Sequence, residues 1–219
     1  MYNPTIDVID HSDLSEIILP DERLIWSGHP EYGQKFFQPV GAERLLHLCL
    51  LLGALAMWST IPFIEARGNL GRVDAYVTYT VVTIVFLGIS FGTAAQRQYV
   101  LQNLAYFLSN KRSIICRRGR NWRLGNRIYV ISCPHSAAYP YEMIESRPYP
   151  SLQIGVLLSE DQVQPFGLGL AHPGQPVLWG RITAPIVFEY IADAKELLEA
   201  IRNCAQENTS YSENSGLNL

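Results

Sequence analysis

Two long uncharged runs constrain the fold of this chain more than any other feature. Residues 45–64 and 75–95 contain no Asp, Glu, Lys or Arg. An α-helix of about 20 residues crosses a hydrocarbon core of about 30 Å. Neither run shows the polar stripe expected of a helix that packs on a soluble core. The sequence therefore predicts two transmembrane helices.

The alternative is a buried helical hairpin in a water-soluble protein. We favour it less, because a chain of 219 residues has little protein to wrap around two such runs. The second run is rich in Val, Thr and Ile, which in water would favour strands. In lipid the backbone must satisfy its own hydrogen bonds, so we expect a helix there as well.

The distribution of charge predicts the topology. The loop 65–74 is short, which makes the two runs an antiparallel hairpin with both termini on one side. Residues 96–128 hold eight basic residues and no acidic one, whereas the loop holds Arg67 and Arg72 alone. Because positively charged flanks stay cytoplasmic, we expect a multi-pass protein of the inner (cytoplasmic) membrane with both termini in the cytoplasm. Trp58, Tyr76 and Tyr79 fall near the loop, where an aromatic belt would lie.

Beyond the second run the sequence indicates short strands and one helix. Residues 96–108 are predicted to be extended and to turn at residues 109–112, and prolines separate the strand candidates 127–132, 151–158, 177–182 and 186–191. Residues 192–206 predict an amphipathic helix of about thirteen residues, with Asp193 as its N-cap. The predicted domains are an N-terminal cytoplasmic segment 1–44, a transmembrane hairpin 45–95, a mainly-β domain 96–206 closed by the helix, and a disordered tail 207–219.

Three segments resemble a known family. LPDERLIWSGHPEYG (19–33) resembles the segment before the two spans of bacterial membrane proteins that carry a pleckstrin-homology-like (PH-like) domain. YFLSNKR (106–112) is similar to their first β-turn, with Ser109 in place of the usual threonine, and FEYIADAKELLEAI (188–201) resembles their last strand and closing helix. The resemblance implies a bent antiparallel sheet of roughly seven strands, capped by a C-terminal helix, on the cytoplasmic side. We expect Trp26 either to lie at the membrane interface or to pack on this domain.

A basic stretch supplies the candidate contact residues, which are Lys111, Arg112, Arg117, Arg118, Arg120 and Arg123. These side chains would contact lipid headgroups or a partner, or they are solvated turn residues that orient the protein. Nucleic-acid binding is disfavoured because the whole chain is acidic, with a net charge of −3, and because strand alternation directs many of the neighbouring rings into the core.

The remaining motifs argue against catalysis. The four cysteines show no C-x-x-C spacing, so we predict free thiols, no metal and no cofactor. No nucleophile-elbow, phosphate-loop or dinucleotide motif occurs in the sequence, and we predict that the protein is not an enzyme.

Within the two apolar runs, His47 is expected to have a structural role. The small-residue pair Gly88 and Gly92 leaves open packing against the first span or homo-oligomerisation.

These features together predict a membrane-anchored, non-enzymatic interaction or scaffold module at the cytoplasmic face. Its partners would be membrane lipids and a membrane or cytoplasmic protein. The alternative is an anionic-lipid-binding or transport-accessory domain.

Overall fold

The structure is a computed structural model, and it describes residues 5–9, 17–41, 43–64, 71–118, 128–157 and 184–216. The helices are α1 (Glu43–Ser59), α2 (Arg72–Gln102) and α3 (Ala194–Gly216), with a 3₁₀ turn at Ile61–Phe63. The strands are β1 (Thr5–Ile9), β2 (Leu24–Gly28), β3 (Leu104–Ser109), β4 (Arg112–Arg118), β5 (Ile128–Pro134), β6 (Glu142–Ile144), β7 (Ser151–Leu157) and β8 (Ala184–Phe188).

The two apolar runs form a pair of antiparallel helices. His47, near the start of α1, contacts Thr93 near the end of α2, and Trp58 near the end of α1 contacts Thr83. Between these contacts, a Cβ placed on Gly53 would lie 3.6 Å from the ring of Phe86, which shows how closely the helices approach. Both helices are long and apolar enough to cross a membrane. Gly88 and Gly92 face open space and do not pack against α1.

The helix boundaries differ from the prediction at one important place. We expected an extended chain from Gln96, but α2 continues to Gln102. Ala94, Arg97, Val100 and Leu101 are buried at helical spacing, so their burial in the protein core continues the helix beyond the apolar run. The helix α1 ends at Ser59, and Pro62 lies in the following 3₁₀ turn.

The first sheet is antiparallel and has the order β1-β5-β4-β3-β2 among the described strands. The predicted turn at residues 109–112 is confirmed, and the hydroxyl of Ser109 accepts hydrogen bonds from the N–H groups of Lys111 and Arg112. The N-terminal region, which we predicted as a separate segment, instead supplies the two outer strands: β1 pairs with β5, and β2 pairs with β3.

The second sheet has the order β6-β7-β8 and is also antiparallel. The strand predicted over 151–158 is confirmed as β7 of this sheet. The strand predicted over 127–132 is also confirmed, as β5 of the first sheet. The strand β6 lies in a proline-rich region for which we predicted no strand. The strand β8 ends at Phe188, before the predicted boundary, and Tyr190 adopts a positive φ of 53°. The predicted strand 177–182 lies outside the described residues.

The C-terminal helix is longer than expected. It runs from Ala194 to Gly216, so residues 207–216 are helical and not the predicted disordered tail. No proline or glycine interrupts the sequence between Ala194 and Gly216, which lets the helix continue. Its buried side chains follow helical spacing and are Ala194, Leu197, Ile201, Cys204 and Ala205.

The first sheet is buried on both faces because its side chains alternate. Tyr106, Leu108 and Ile115 point into the main core, which also contains Phe188 and Ile201. Alternate residues of β4 and β5 form a second cluster on the other face, composed of Ile114, Cys116, Ile128 and Val130, and Ile17 from the chain before α1 packs against them. The sheet domain is therefore built from chain segments that precede and follow the helix pair in the sequence.

Candidate functional site

Arg97 is the centre of the place where the helices meet the sheet domain, which we call the junction: residues 31–40 with the adjoining ends of α1 and α2. Its side chain is only 2% exposed. The guanidinium donates hydrogen bonds to the backbone carbonyls of Gly33, Lys35 and Phe36. Three carbonyls of one loop are thus bound by a single side chain of α2, which fixes the loop against the helix.

Glu43 supplies the counter-charge from the first turn of α1. Its carboxylate oxygen Oε2 lies 2.7 Å from Nε of Arg97, although the N–H is not aligned for a hydrogen bond. The same oxygen accepts a hydrogen bond from the N–H of Val40, and Oε1 lies 3.8 Å from Nε2 of His47. A buried charge needs a close partner of opposite sign, and this ion pair joins the two helices at one end.

Gly33, the last residue of the segment 19–33, is a glycine for a physical reason. Its φ is +87°, a left-handed conformation that favours glycine. A Cβ at this position would lie 2.4 Å from Cδ1 of Leu101 and 2.8 Å from Cγ1 of Val40. Gly33 is therefore required both by its backbone and by the close approach of α2.

The junction also contacts the segment that follows β8. The N–H of Glu31 donates a hydrogen bond of 2.9 Å to the carbonyl of Tyr190, and the ring of Tyr32 packs edge-on against that of Tyr190 at 5.6 Å. Arg44 of α1 donates a hydrogen bond to the hydroxyl of Tyr32. A continuous chain of contacts thus connects α1 and α2 to Tyr190, two residues beyond the end of β8, through residues 31–36.

An apolar cavity of about 450 Å³ lies on the helix side of the junction. Its walls include Phe36 and Phe37 from the loop and Leu87 and Phe91 from α2, and its polar lining comes from His47 and Ser90. The ring of Phe36 lies 4.8 Å from that of Phe91, while Phe37 is 90% exposed. The cavity falls in the size range of small-molecule sites.

A second, more polar cleft of about 370 Å³ lies between the start of α1 and the second sheet. Arg44 and Arg147 line it together with Glu145, Ser146 and Ser151. The two guanidinium groups are suited to binding an anion, whereas the negative charge of Glu145 in the same cleft would repel one.

The predicted basic stretch does not form one basic surface in the part that the structure describes. Lys111 is paired with Asp21, and this hydrogen-bonded ion pair lowers the pKa of Asp21. Arg112 contacts both carboxylate oxygens of Glu22, at 2.8 and 3.2 Å, and also bonds to the carbonyl of Ile17. Arg117 is buried at 2% exposure. Arg118 lies in β4, while Arg120 and Arg123 lie outside the described residues.

The four predicted interface aromatics separate into two places. Trp58, Tyr76 and Tyr79 come together at the far end of the helix pair, with both ring distances from Trp58 at 6.1 Å. Trp26 lies in β2 at the other end, where it packs against the core 6.1 Å from Phe188. Trp26 also lies over Gly28, since a Cβ there would be 2.4 Å from its ring. The packing alternative for Trp26 is the one observed.

His135, Cys116 and Tyr106 are among the buried titratable side chains of the sheet domain. His135 bonds to the hydroxyl of Ser113 at 3.1 Å, and burial lowers its pKa to about 4. Burial raises the pKa of the Cys116 thiol to about 12 and also raises that of the Tyr106 hydroxyl. Neither cavity is lined by any of these three residues.

Comparison of the chain with known protein families, with curated proteins and with solved structures found no match. The inferences about function therefore rest on the residues themselves. The junction is not identified from the sequence, because Arg97 is one of the eight basic residues of 96–128 and Glu43 belongs to the N-terminal segment 1–44. Ala94, Arg97 and Leu101 do share helical spacing, and this signal could have placed Arg97 on a buried face.

Proposed function

We propose that this chain is a membrane-anchored, non-enzymatic interaction module. The pair α1 and α2 spans the inner membrane with both termini in the cytoplasm, and it holds a PH-like sheet domain at the cytoplasmic face. An edge of that domain binds a membrane or cytoplasmic protein.

The exposure of the two apolar helices is the observation that carries the proposal. Leu48, Leu55, Ile84 and Phe91 are each at least half exposed, and they lie on both helices. A soluble protein rarely leaves such a long apolar surface open to water, whereas lipid covers it without cost. In α1 the only buried side chain is the ion-paired Glu43.

The positions of the polar groups match the thickness of a bilayer. Tyr76 and Arg97 are 21 residues apart in α2, which is about 32 Å along a helix that rises about 1.5 Å per residue. The aromatic cluster of Trp58, Tyr76 and Tyr79 would then lie in one interface, and the ion pair of Arg97 with Glu43 in the other.

A PH-like fold is supported by the order of the elements. Two antiparallel sheets are followed by a C-terminal helix that packs on the core through Leu197 and Ile201. Such domains occur with many functions, so the fold alone names no partner.

The outer edge of β2 is the binding edge that we favour. Among the strands that the structure describes, β2 pairs with β3 alone. Leu24 and Ile25 are 42% and 41% exposed on this edge. An extended segment of a partner can pair with such an edge, the backbone supplying affinity and the apolar side chains specificity.

The alternative, binding of an anionic lipid headgroup, is favoured by the cleft of Arg44 and Arg147. Arg44 belongs to the first turn of α1, next to the proposed membrane surface. The basic stretch supports this alternative less than the sequence suggested, because Lys111, Arg112 and Arg117 are paired or buried.

Site-specific photocrosslinking in native membranes distinguishes the two functions. A photoreactive amino acid is placed in the full chain at Ile25 on the β2 edge, at Ile144 in the cleft, or at the exposed control position Ala138. We expect a discrete protein adduct from position 25 and none from position 138.

A lipid adduct from position 144 with no protein adduct from position 25 would favour the headgroup alternative. Equal protein adducts from positions 25 and 138 would contradict a specific edge. The full chain is needed because β1 and β2 precede the helices, and a fragment that starts at residue 96 lacks both strands.

A further inference from the structure

We infer that the apolar cavity at the junction holds one acyl chain of an anionic membrane phospholipid. This inference rests on the proposed membrane placement and adds a bound lipid to it. The site would make a lipid part of the contact between the helix pair and the loop that leads to the sheet domain.

The position of the cavity along α2 favours an acyl chain over a water-borne ligand. Leu87 lies ten residues before Arg97, which is about 15 Å along the helix axis at about 1.5 Å per residue. The cavity therefore reaches from the polar junction into the uncharged run. Leu87, Phe91 and Phe37 are all largely exposed, so it opens sideways toward the region proposed to contain lipid.

The cavity has one polar side chain close to the ion pair of the junction. This is His47, which lies 3.2 Å from the hydroxyl of Thr93 and 3.8 Å from Glu43, whereas Leu87 lines the part of the cavity farthest from Arg97 along α2. A chain that entered here would bury its methylene groups against rings, with each buried CH₂ contributing about 0.8 kcal/mol.

The wall formed by Phe36 and Phe37 is held in place before any lipid binds. Arg97 binds the carbonyls of Lys35 and Phe36. The ring of Phe36 lies tilted at 4.8 Å from that of Phe91 and edge-on at 5.2 Å from that of Phe37. Because the wall is already ordered, less conformational entropy is lost when a ligand binds.

Two cations beside the cavity wall are the reason for expecting an anionic headgroup. Lys35 is exposed and precedes Phe36 in the loop, and Arg44, which lines the neighbouring cleft, bonds through Nε to the carbonyl of the cavity residue Pro39. Cations near an anionic headgroup stabilise it through charge.

A photoreactive phospholipid tests the site. The full chain is reconstituted into vesicles of phosphatidylethanolamine that contain phosphatidylglycerol with a diazirine in one acyl chain. After irradiation, adducts are mapped by peptide mass spectrometry. We expect adducts concentrated on the peptides with Phe36, Phe37 and Phe91, in excess of those at Ile84, which is 62% exposed and does not line the cavity.

Two variants and one matched control complete the test. Ser90→Trp fills the cavity and should remove most of the concentrated label, whereas Ile84→Trp adds the same ring to the open face and should keep it. Phe37→Ser changes a side chain that is 90% exposed, so it should fold normally and still weaken the label. Replacing the probe by diazirine phosphatidylcholine should also reduce it.

An even distribution of adducts over the exposed helix faces, or unchanged label in both Ser90→Trp and Phe37→Ser, would overturn the inference while the chain remains in the vesicles. A chain that does not remain in vesicles at all would instead overturn the proposed membrane placement.

Discussion

Nε of Arg97 lies 2.7 Å from Oε2 of Glu43, and this buried contact joins α2 to α1 at the point where both reach the sheet domain. Arg97 also binds three carbonyls of the loop that follows β2. One side chain thereby connects both helices and the loop. In the proposed function, this arrangement fixes the sheet domain relative to the two helices.

Removing the guanidinium should destabilise the protein strongly. Arg97→Gln leaves the buried carboxylate of Glu43 without its partner, and breaking one side of a buried ion pair costs about 3–5 kcal/mol. Thermal unfolding of the detergent-solubilised full chain measures the effect. The double variant Glu43→Gln with Arg97→Gln should lose less stability than the sum of the two single variants. Additive losses would show that the two residues do not act as a pair.

Arg112 should contribute to folding and not to lipid binding. It contacts both oxygens of Glu22 and the carbonyl of Ile17, and charge-assisted hydrogen bonds of this kind contribute about 1.5–3 kcal/mol. We expect Arg112→Gln to lower the melting temperature with little change in co-sedimentation with anionic vesicles. Its neighbour Lys111 is the control, because its pair with Asp21 is exposed and Lys111→Gln should leave the melting temperature nearly unchanged. A loss of vesicle binding in Arg112→Gln without a loss of stability would contradict this assignment.

The buried His135 should make stability depend on pH. Burial lowers its pKa from 6.5 to about 4, so between these values the unfolded chain binds a proton that the folded chain does not. Stability should therefore fall as the pH is lowered through this window and should recover as the pH rises. The measurement is the melting temperature as a function of pH. The variant His135→Gln should show a flatter dependence, and an equally steep curve in that variant would assign the effect to other groups.

Cys49 tests whether α1 lies in lipid. It is the one exposed cysteine, whereas Cys116, Cys133 and Cys204 are buried. A charged, membrane-impermeant maleimide should leave Cys49 unmodified in intact vesicles, because the hydrocarbon excludes the reagent, and should modify it after denaturation. Cysteine introduced by Ala138→Cys, at an exposed position in the sheet domain, is the control for reagent access. Equal labelling rates at the two positions would place α1 in water.

Local features of the fold could be predicted from the sequence because they depend on neighbouring residues. The helix pair follows from uninterrupted apolar runs, and the turn after Ser109 follows from polar residues between strand-like segments. The apolar spacing of Leu197 and Ile201 predicted the closing helix, although not its continuation to Gly216.

Long-range features were missed because distant parts of the chain supply the partners. Thr5–Ile9 is rich in β-branched residues, but its partner strand β5 follows the helix pair in the sequence, so no neighbouring segment reveals the pairing. The same reason applies to charge: Arg97 and Arg112 look like solvated cations until Glu43 and Glu22 are brought beside them. A count of local charge therefore overestimated the basic surface.

Extraction of native membranes with alkaline carbonate tests the central claim most directly, because it removes proteins held by surface contacts and leaves those whose helices lie in lipid. The account predicts that the full-length chain stays in the pellet after the wash and becomes soluble only when detergent is added. Recovery of the chain in the carbonate supernatant, as a monodisperse species without detergent, would contradict it.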